Sequence, residues 1–172
     1  MCCAKLCDTS WSLALKFIEQ NLSEIQPDSV PNLPRSNRRK GRELALQALY
    51  QIEITGDPSV AAVELFLQHF EGNTKAKEFA RRLVSGTVSQ RAEIDRMIDQ
   101  ATENWKNERL AKVDFVLLRM AAYELVFCAD IPTAVTLDEA IEIAKRFGGE
   151  ESAGFINGVL DRVARSSCTK SD

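Results

Sequence analysis

The sequence predicts an all-α protein, a helical bundle of two three-helix subdomains, and three observations predict it. Apolar residues recur at helical spacing in successive segments from Asn37 onward. No five-residue window sustains the period-two alternation of a half-buried strand. Start and stop residues punctuate the segments at Asp57-Pro58, Gly72-Asn73, Ile131-Pro132 and Gly148-Gly149.

Residues 1–36 form an N-terminal extension. Trp11, Leu15, Ile18, Leu22 and Ile25 are spaced for a short amphipathic helix over 10–25, and Pro27, Pro31 and Pro34 make 26–36 an extended linker. The first core helix follows, with Leu44, Leu46, Ala48, Leu49 and Ile52 on its apolar face and its end near Gly56. In the second, Asp57 serves as N-cap and Pro58 as first helical residue, with Val60, Val63, Leu67 and Phe70 inward. A long third helix runs from Thr74 to about Thr102, and Gly86 within it marks close helix packing.

The second half repeats the style. Residues 111–128 place Val113, Val116, Leu117, Met120, Tyr123 and Phe127 on one side. Thr136 and Glu139 have the spacing of a capping box for the fifth helix, which stops at Gly148-Gly149 in a left-handed turn. Ser152 opens the last helix, with Phe155, Ile156, Val159, Leu160 and Val163 inward. The core domain is thus 37–165, followed by a tail over 166–172.

A chain of 172 residues that is 45% hydrophobic can bury one core, and no stretch approaches the roughly 20 apolar residues of a membrane span. Five cysteines, an odd number without paired CxxC motifs, point away from zinc and disulfides and toward a reducing, cytoplasmic setting. The single histidine, His69, lies at the edge of a short helix and makes no triad. Neither a GxxxxGK[ST] nor a GxGxxG phosphate loop occurs, and the acid pairs Asp138/Glu139 and Glu150/Glu151 read as first-turn acids of helices. The expectation is a protein that is not an enzyme and carries no cofactor or metal.

Charge is more informative. The net charge is −3, yet residues 35–42 read RSNRRKGR, with five basic residues and no acid; without them 17 basic residues face 25 acidic ones, a balance of −8. Arg38, Arg39, Lys40 and Arg42 fall at the start of the first core helix, where the dipole is already positive and more positive charge is unfavourable. An anionic ligand there would meet both the guanidiniums and the free amides of the first turn. A solvated charge run is the alternative.

The segment RRKGRELALQALYQ at 38–51 resembles the opening helix of the NusB transcription antitermination factors. VDFVLLRMAAYEL at 113–125 and PTAVTLDEAIEIAKRFGGEESAGFINGVLDRVAR at 132–165 match the same family in the same order, so the resemblance spans about 37–165. It implies two three-helix subdomains and a non-enzymatic function: binding boxA RNA together with NusE, a small-subunit ribosomal protein. The resulting complex joins RNA polymerase and supports processive transcription of ribosomal RNA operons.

Residue by residue, the resemblance assigns Arg38, Arg39, Lys40 and Arg42 to RNA phosphates, and Trp105 and Phe155 to RNA bases. It assigns Tyr50 and Asp114 to NusE. Phe155 and Tyr50 also read as core residues, and Asp114 as a first-turn acid. Gly154 stands where many relatives carry a basic residue, and Gly41 interrupts the basic arm. Family members occur as monomers and as dimers, and a homodimer can cover the arm. Two other readings are a protein-interaction module of the same fold without specific RNA binding, and the helical domain of a ribosomal RNA cytosine methyltransferase.

Overall fold

The computed structural model describes residues 37–70, 73–102 and 111–168, all within one compact unit, Arg35–Asp172. The amphipathic segment over 10–25, the linker after it, Gly72 and Trp105 lie outside the described residues. Among the described residues the elements are helices, in the order α1 (Asn37–Thr55), α2 (Val60–His69), α3 (Thr74–Ser89), α4 (Arg91–Ala101), α5 (Lys112–Phe127), α6 (Thr133–Phe147) and α7 (Ser152–Cys168). None is long and apolar enough to cross a membrane.

The first group is α1, α2 and α3, in which α1 lies along α3. The second is built from α5, α6 and α7, which all pack on one another, with α4 against α5 and α7. α5 is the central helix, because α1 and α3 pack on it as well. Its sequence explains the position: Val116 to Ala122 are all buried, so it shows core on every side rather than one apolar stripe. Phe127, expected inward, is instead 38% exposed at the end of that helix.

The long third helix expected over 74–102 is two helices. The Ser89 hydroxyl donates to the Gly86 carbonyl at 3.0 Å, and Gln90 leaves helical geometry with ψ 13°. The bend lets α4 send Ile94 and Ile98, both buried, into the second group. Gly86 itself marks close packing, since a Cβ there would lie 1.9 Å from Cζ of Tyr123 on α5.

Helix boundaries also differ from the pattern reading in three places. The cap of α2 is Ser59, whose Oγ accepts from the Ala62 amide at 3.2 Å, while Asp57 accepts from the Ser59 amide one step earlier. Val60 accordingly sits in the exposed first turn, and Phe66 joins Val63 and Leu67 in the core. α6 starts at Thr133 behind Pro132, so Thr136 and Glu139 are a turn too deep to form a capping box or a first-turn acid; both side chains bond across the fold instead. Gly148 has φ −96° and ψ −178°, an extended rather than left-handed stop. It is small because a Cβ would lie 2.7 Å from Asp114 Oδ1. Among the described residues the left-handed glycine is Gly56, at φ 72°, whose amide closes α1 on the Ile52 carbonyl at 2.8 Å.

Candidate nucleic-acid interface

Arg35 lies outside the described residues; the rest of the basic run, Arg38 to Arg42, spans the first two turns of α1, and the first turn contains no acid. The run's four described cations meet different environments, because a helix turns 100° per residue and successive side chains point to different neighbours. Lys40 is exposed and has no acidic partner among the described residues. Arg38 is exposed, lies 5.6 Å from the Phe79 ring centroid, and sits 3.6 Å from the Asp130 carboxylate in the α5–α6 connection. Arg39 is half-buried and donates two hydrogen bonds to Glu139 of α6, from Nε to Oε2 at 2.8 Å and from Nη2 to Oε1 at 2.9 Å. Those hydrogen bonds raise the Arg39 pKa against the opposing effect of burial, with the charge of Glu139 adding to them.

Arg42 is inside. Its side chain is 4% exposed and its guanidinium grips Glu124 of α5, Nε to Oε2 at 2.8 Å and Nη2 to Oε1 at 2.7 Å. The Thr136 hydroxyl donates to the same carboxylate at 2.8 Å, and Glu139 lies 3.7 Å from Arg42 Nη1. A network therefore runs inward from the half-buried Arg39 through Glu139 to the buried Arg42, Glu124 and Thr136, joining α1, α5 and α6. This corrects the expectation that Arg42 meets RNA phosphates: burial removes its guanidinium from the surface. It also corrects the charge argument, because the fold's own carboxylates, from α5, α6 and the loop between them, offset the repulsion at the start of α1.

Under the arm, Phe79 of α3 is half-buried, with Arg42 5.4 Å from its ring centroid on the protein side. Gly41 is what lets α1 lie this close: a Cβ there would be 2.8 Å from the Ala76 carbonyl oxygen and 2.9 Å from Phe79 Cδ1. The glycine that interrupts the arm is a packing glycine. Next to Phe79 along α3, Arg82 donates to both oxygens of Asp130, from Nη1 to Oδ2 at 2.9 Å. Those hydrogen bonds, with the charges of Arg82 and Arg38, hold the Asp130 carboxyl below the usual carboxylate range.

The remaining assigned residues divide. Phe155 is 7% exposed and belongs to the core of α7, which corrects its reading as a base-stacking surface. Asp114, in the first turn of α5, is also buried: its Oδ2 accepts from the Ser152 hydroxyl at 2.7 Å, and Ser152 Oγ in turn accepts from the Gly149 amide at 2.8 Å. The first-turn alternative therefore describes Asp114 better than direct contact with a partner. Tyr50 is half-buried on α1. Gly154 is exposed, with nothing within 4 Å of its Cβ position. His69 is exposed and its Nδ1 lies 2.7 Å from the Leu65 carbonyl of its own helix. No group of three or more His, Cys, Asp or Glu side chains that could hold a metal ion occurs among the described residues.

Sequence reasoning missed Phe79, Arg82, Asp130 and Glu139 as parts of this surface, and the buried Glu124 beneath it. Only Glu139 carried a local signal, and that signal pointed to a cap. The others are distant in sequence from residues 38–42 and are brought there by the packing of α3 and α5 on α1.

Fold and surface together define a helical binding protein whose cationic face is carried at the start of α1 and framed by carboxylates. Residues 39–165 match the NusB family, and the chain belongs to that family. A transcription antitermination protein NusB of Geobacter sulfurreducens is 49% identical over 128 residues, 74% of this chain and 93% of the relative. Its namesake in Desulfatibacillum aliphaticivorans is 46% identical over 126 residues, 73% and 88% of the two chains. Among solved structures, T. maritima NusB aligns with a TM-score of 0.67 at 42% identity, covering 76% of this chain and 92% of that one. A crystal structure of the antitermination factors NusB and NusE in complex with dsRNA has the same fold, with a TM-score of 0.67 at 24% identity.

Proposed function

We propose that this protein acts in transcription antitermination by binding boxA RNA together with NusE, within a complex that includes RNA polymerase and keeps transcription of ribosomal RNA operons processive. The observation that carries this reading is the exposed cationic turn at the start of α1, where Lys40 has no acidic partner among the described residues and Arg38 is open to solvent beside an aromatic ring. Basic groups against phosphates and an aromatic face for unpaired bases are the physical requirements of single-stranded RNA binding. Tyr50, on the same helix, is kept as the candidate contact for NusE, and Trp105 as a candidate base platform.

The test replaces Arg38, Arg39 and Lys40 together with alanine and leaves Arg42 in place, because its buried pair belongs to the core. Fluorescence anisotropy of labelled boxA RNA, with and without NusE, is expected to show a large loss of affinity. The slope of log affinity against log salt should fall by about 2, from three phosphate contacts at about 0.7 each. Unchanged affinity and slope would take the arm out of the RNA site. Equal binding of boxA and scrambled RNA by the parent protein would favour the interaction module without sequence preference.

Gly154 offers the converse experiment. Nothing occupies the space around its Cβ position, so Gly154→Lys is accommodated; the gain in helix propensity is offset by a cation placed in the first turn of α7, and stability should change by less than about 0.5 kcal/mol. The added charge is expected to tighten boxA binding and steepen its salt dependence by about 0.7. Thermal unfolding and the same titration read the two effects separately.

A further inference from the structure

We infer that Arg82 of α3 is an RNA phosphate contact, and that Asp130 occupies in the free protein the place a phosphate takes in the complex. The inference rests on the RNA-binding reading above and adds to it a second helix and a built-in competitor. Two guanidiniums from different helices converge on one carboxylate: Arg82 donates to both oxygens of Asp130, and Arg38 Nη2 lies 3.6 Å from Oδ2. All three groups are open to solvent, with side-chain exposures of 43% for Arg82, 45% for Asp130 and 53% for Arg38.

A planar carboxylate held by the Arg82 fork, with the Arg38 guanidinium beside it, presents the same pair of anionic oxygens that a phosphodiester would present. Such an exposed pair contributes little to stability, so the arrangement is easily exchanged for another anion. Phe79 and Arg82 are three apart on α3 and therefore share a side of it, and the Phe79 ring already carries the Arg38 guanidinium. Cation and half-buried ring thus sit side by side along α3, as a strand of unpaired nucleotides requires. Asp130, on the connection after α5, screens both cations until the nucleic acid displaces it.

The experiment titrates labelled boxA RNA with the full chain and with Arg82→Gln, Asp130→Asn and the double variant, across a salt series. Circular dichroism confirms that each is folded. Arg82→Gln is expected to weaken binding about 3- to 10-fold at low salt and to flatten the salt slope by about 0.7. Asp130→Asn is expected to strengthen binding several-fold, and Arg82→Gln must still weaken it in the Asp130→Asn background. If Arg82→Gln is without effect in that background, Arg82 only anchors Asp130 and its assignment to RNA is overturned. Weaker binding by Asp130→Asn would overturn the competitor role. The alanine variant of Arg38, Arg39 and Lys40 separates the two levels. If that variant binds normally, the RNA site itself has been misplaced and Arg82 falls with it. If it loses binding while Arg82→Gln does not, only the inference about Arg82 fails.

Discussion

Arg42→Ala is expected to lower the stability of the protein by about 3–5 kcal/mol, a large share of what a domain of this size has. Arg42 and Glu124 are 3% and 1% exposed, and the guanidinium supplies three of the hydrogen bonds that Glu124 receives. Removing it leaves a carboxylate with only the Thr136 hydroxyl and a more distant charge environment. The cost comes from that stranded charge more than from the lost attraction. Urea unfolding followed by circular dichroism should show a lower midpoint at unchanged slope.

The double replacement Arg42→Met with Glu124→Leu should recover most of the loss, since an apolar pair of similar volume removes both charges together. The Thr136 hydroxyl would then lack its partner, which leaves a residual deficit of about 1 kcal/mol. A loss below about 1 kcal/mol for Arg42→Ala would contradict the buried pair and return Arg42 to the surface set. In the opposite case, weakened RNA binding by any Arg42 variant reports on folding and not on contact.

Gly41→Val is expected to be the next most damaging change, at about 3 kcal/mol, with Gly41→Ala about 1 kcal/mol. Intrinsic propensity favours the reverse sign, because alanine is about 1 kcal/mol better than glycine inside a helix. Tertiary packing wins here. The added Cβ meets a backbone oxygen, that of Ala76 at 2.8 Å, and a backbone cannot rotate away as a side-chain tip can. α1 must therefore lift from α3, loosening Phe79 and the Arg42–Glu124 pair beneath the arm. Gly154→Ala is the matched control, since both are helical glycines and, of the two, only Gly41 has a neighbour in the way. Thermal unfolding of both variants should move in opposite directions; a stabilised Gly41→Ala would show that the α1–α3 contact is looser than described.

The helices were legible in the sequence because amphipathic periodicity is a local property. Leu44, Leu46, Ala48, Leu49 and Ile52 are all buried on α1 as their spacing required, and Ile156, Val159, Leu160 and Val163 are likewise buried on α7. Boundaries were less legible where short-range signals compete. Asp57 and Ser59 both suit a cap, and the hydroxyl two residues later took the position. Thr136 and Glu139 had the spacing of a capping box, but a helix starting at Thr133 sent both across the fold. The break at Gln90 had no proline to announce it, only a serine hydroxyl shared with a carbonyl.

By itself the sequence determined the helical class, the family through three ordered segments, and a basic turn on an acidic body. Composition and apolar spacing are carried by neighbouring residues, so they survive without coordinates. Only the tertiary structure decided which of the four basic residues is surface and which is core. Arg38, Arg39, Lys40 and Arg42 are equivalent as a charge run. They separate because each points at a different neighbour: open solvent for Lys40, Asp130 for Arg38, Glu139 for Arg39, and the buried Glu124 for Arg42. Burial and pairing depend on residues up to 100 positions away, and no local pattern encodes them.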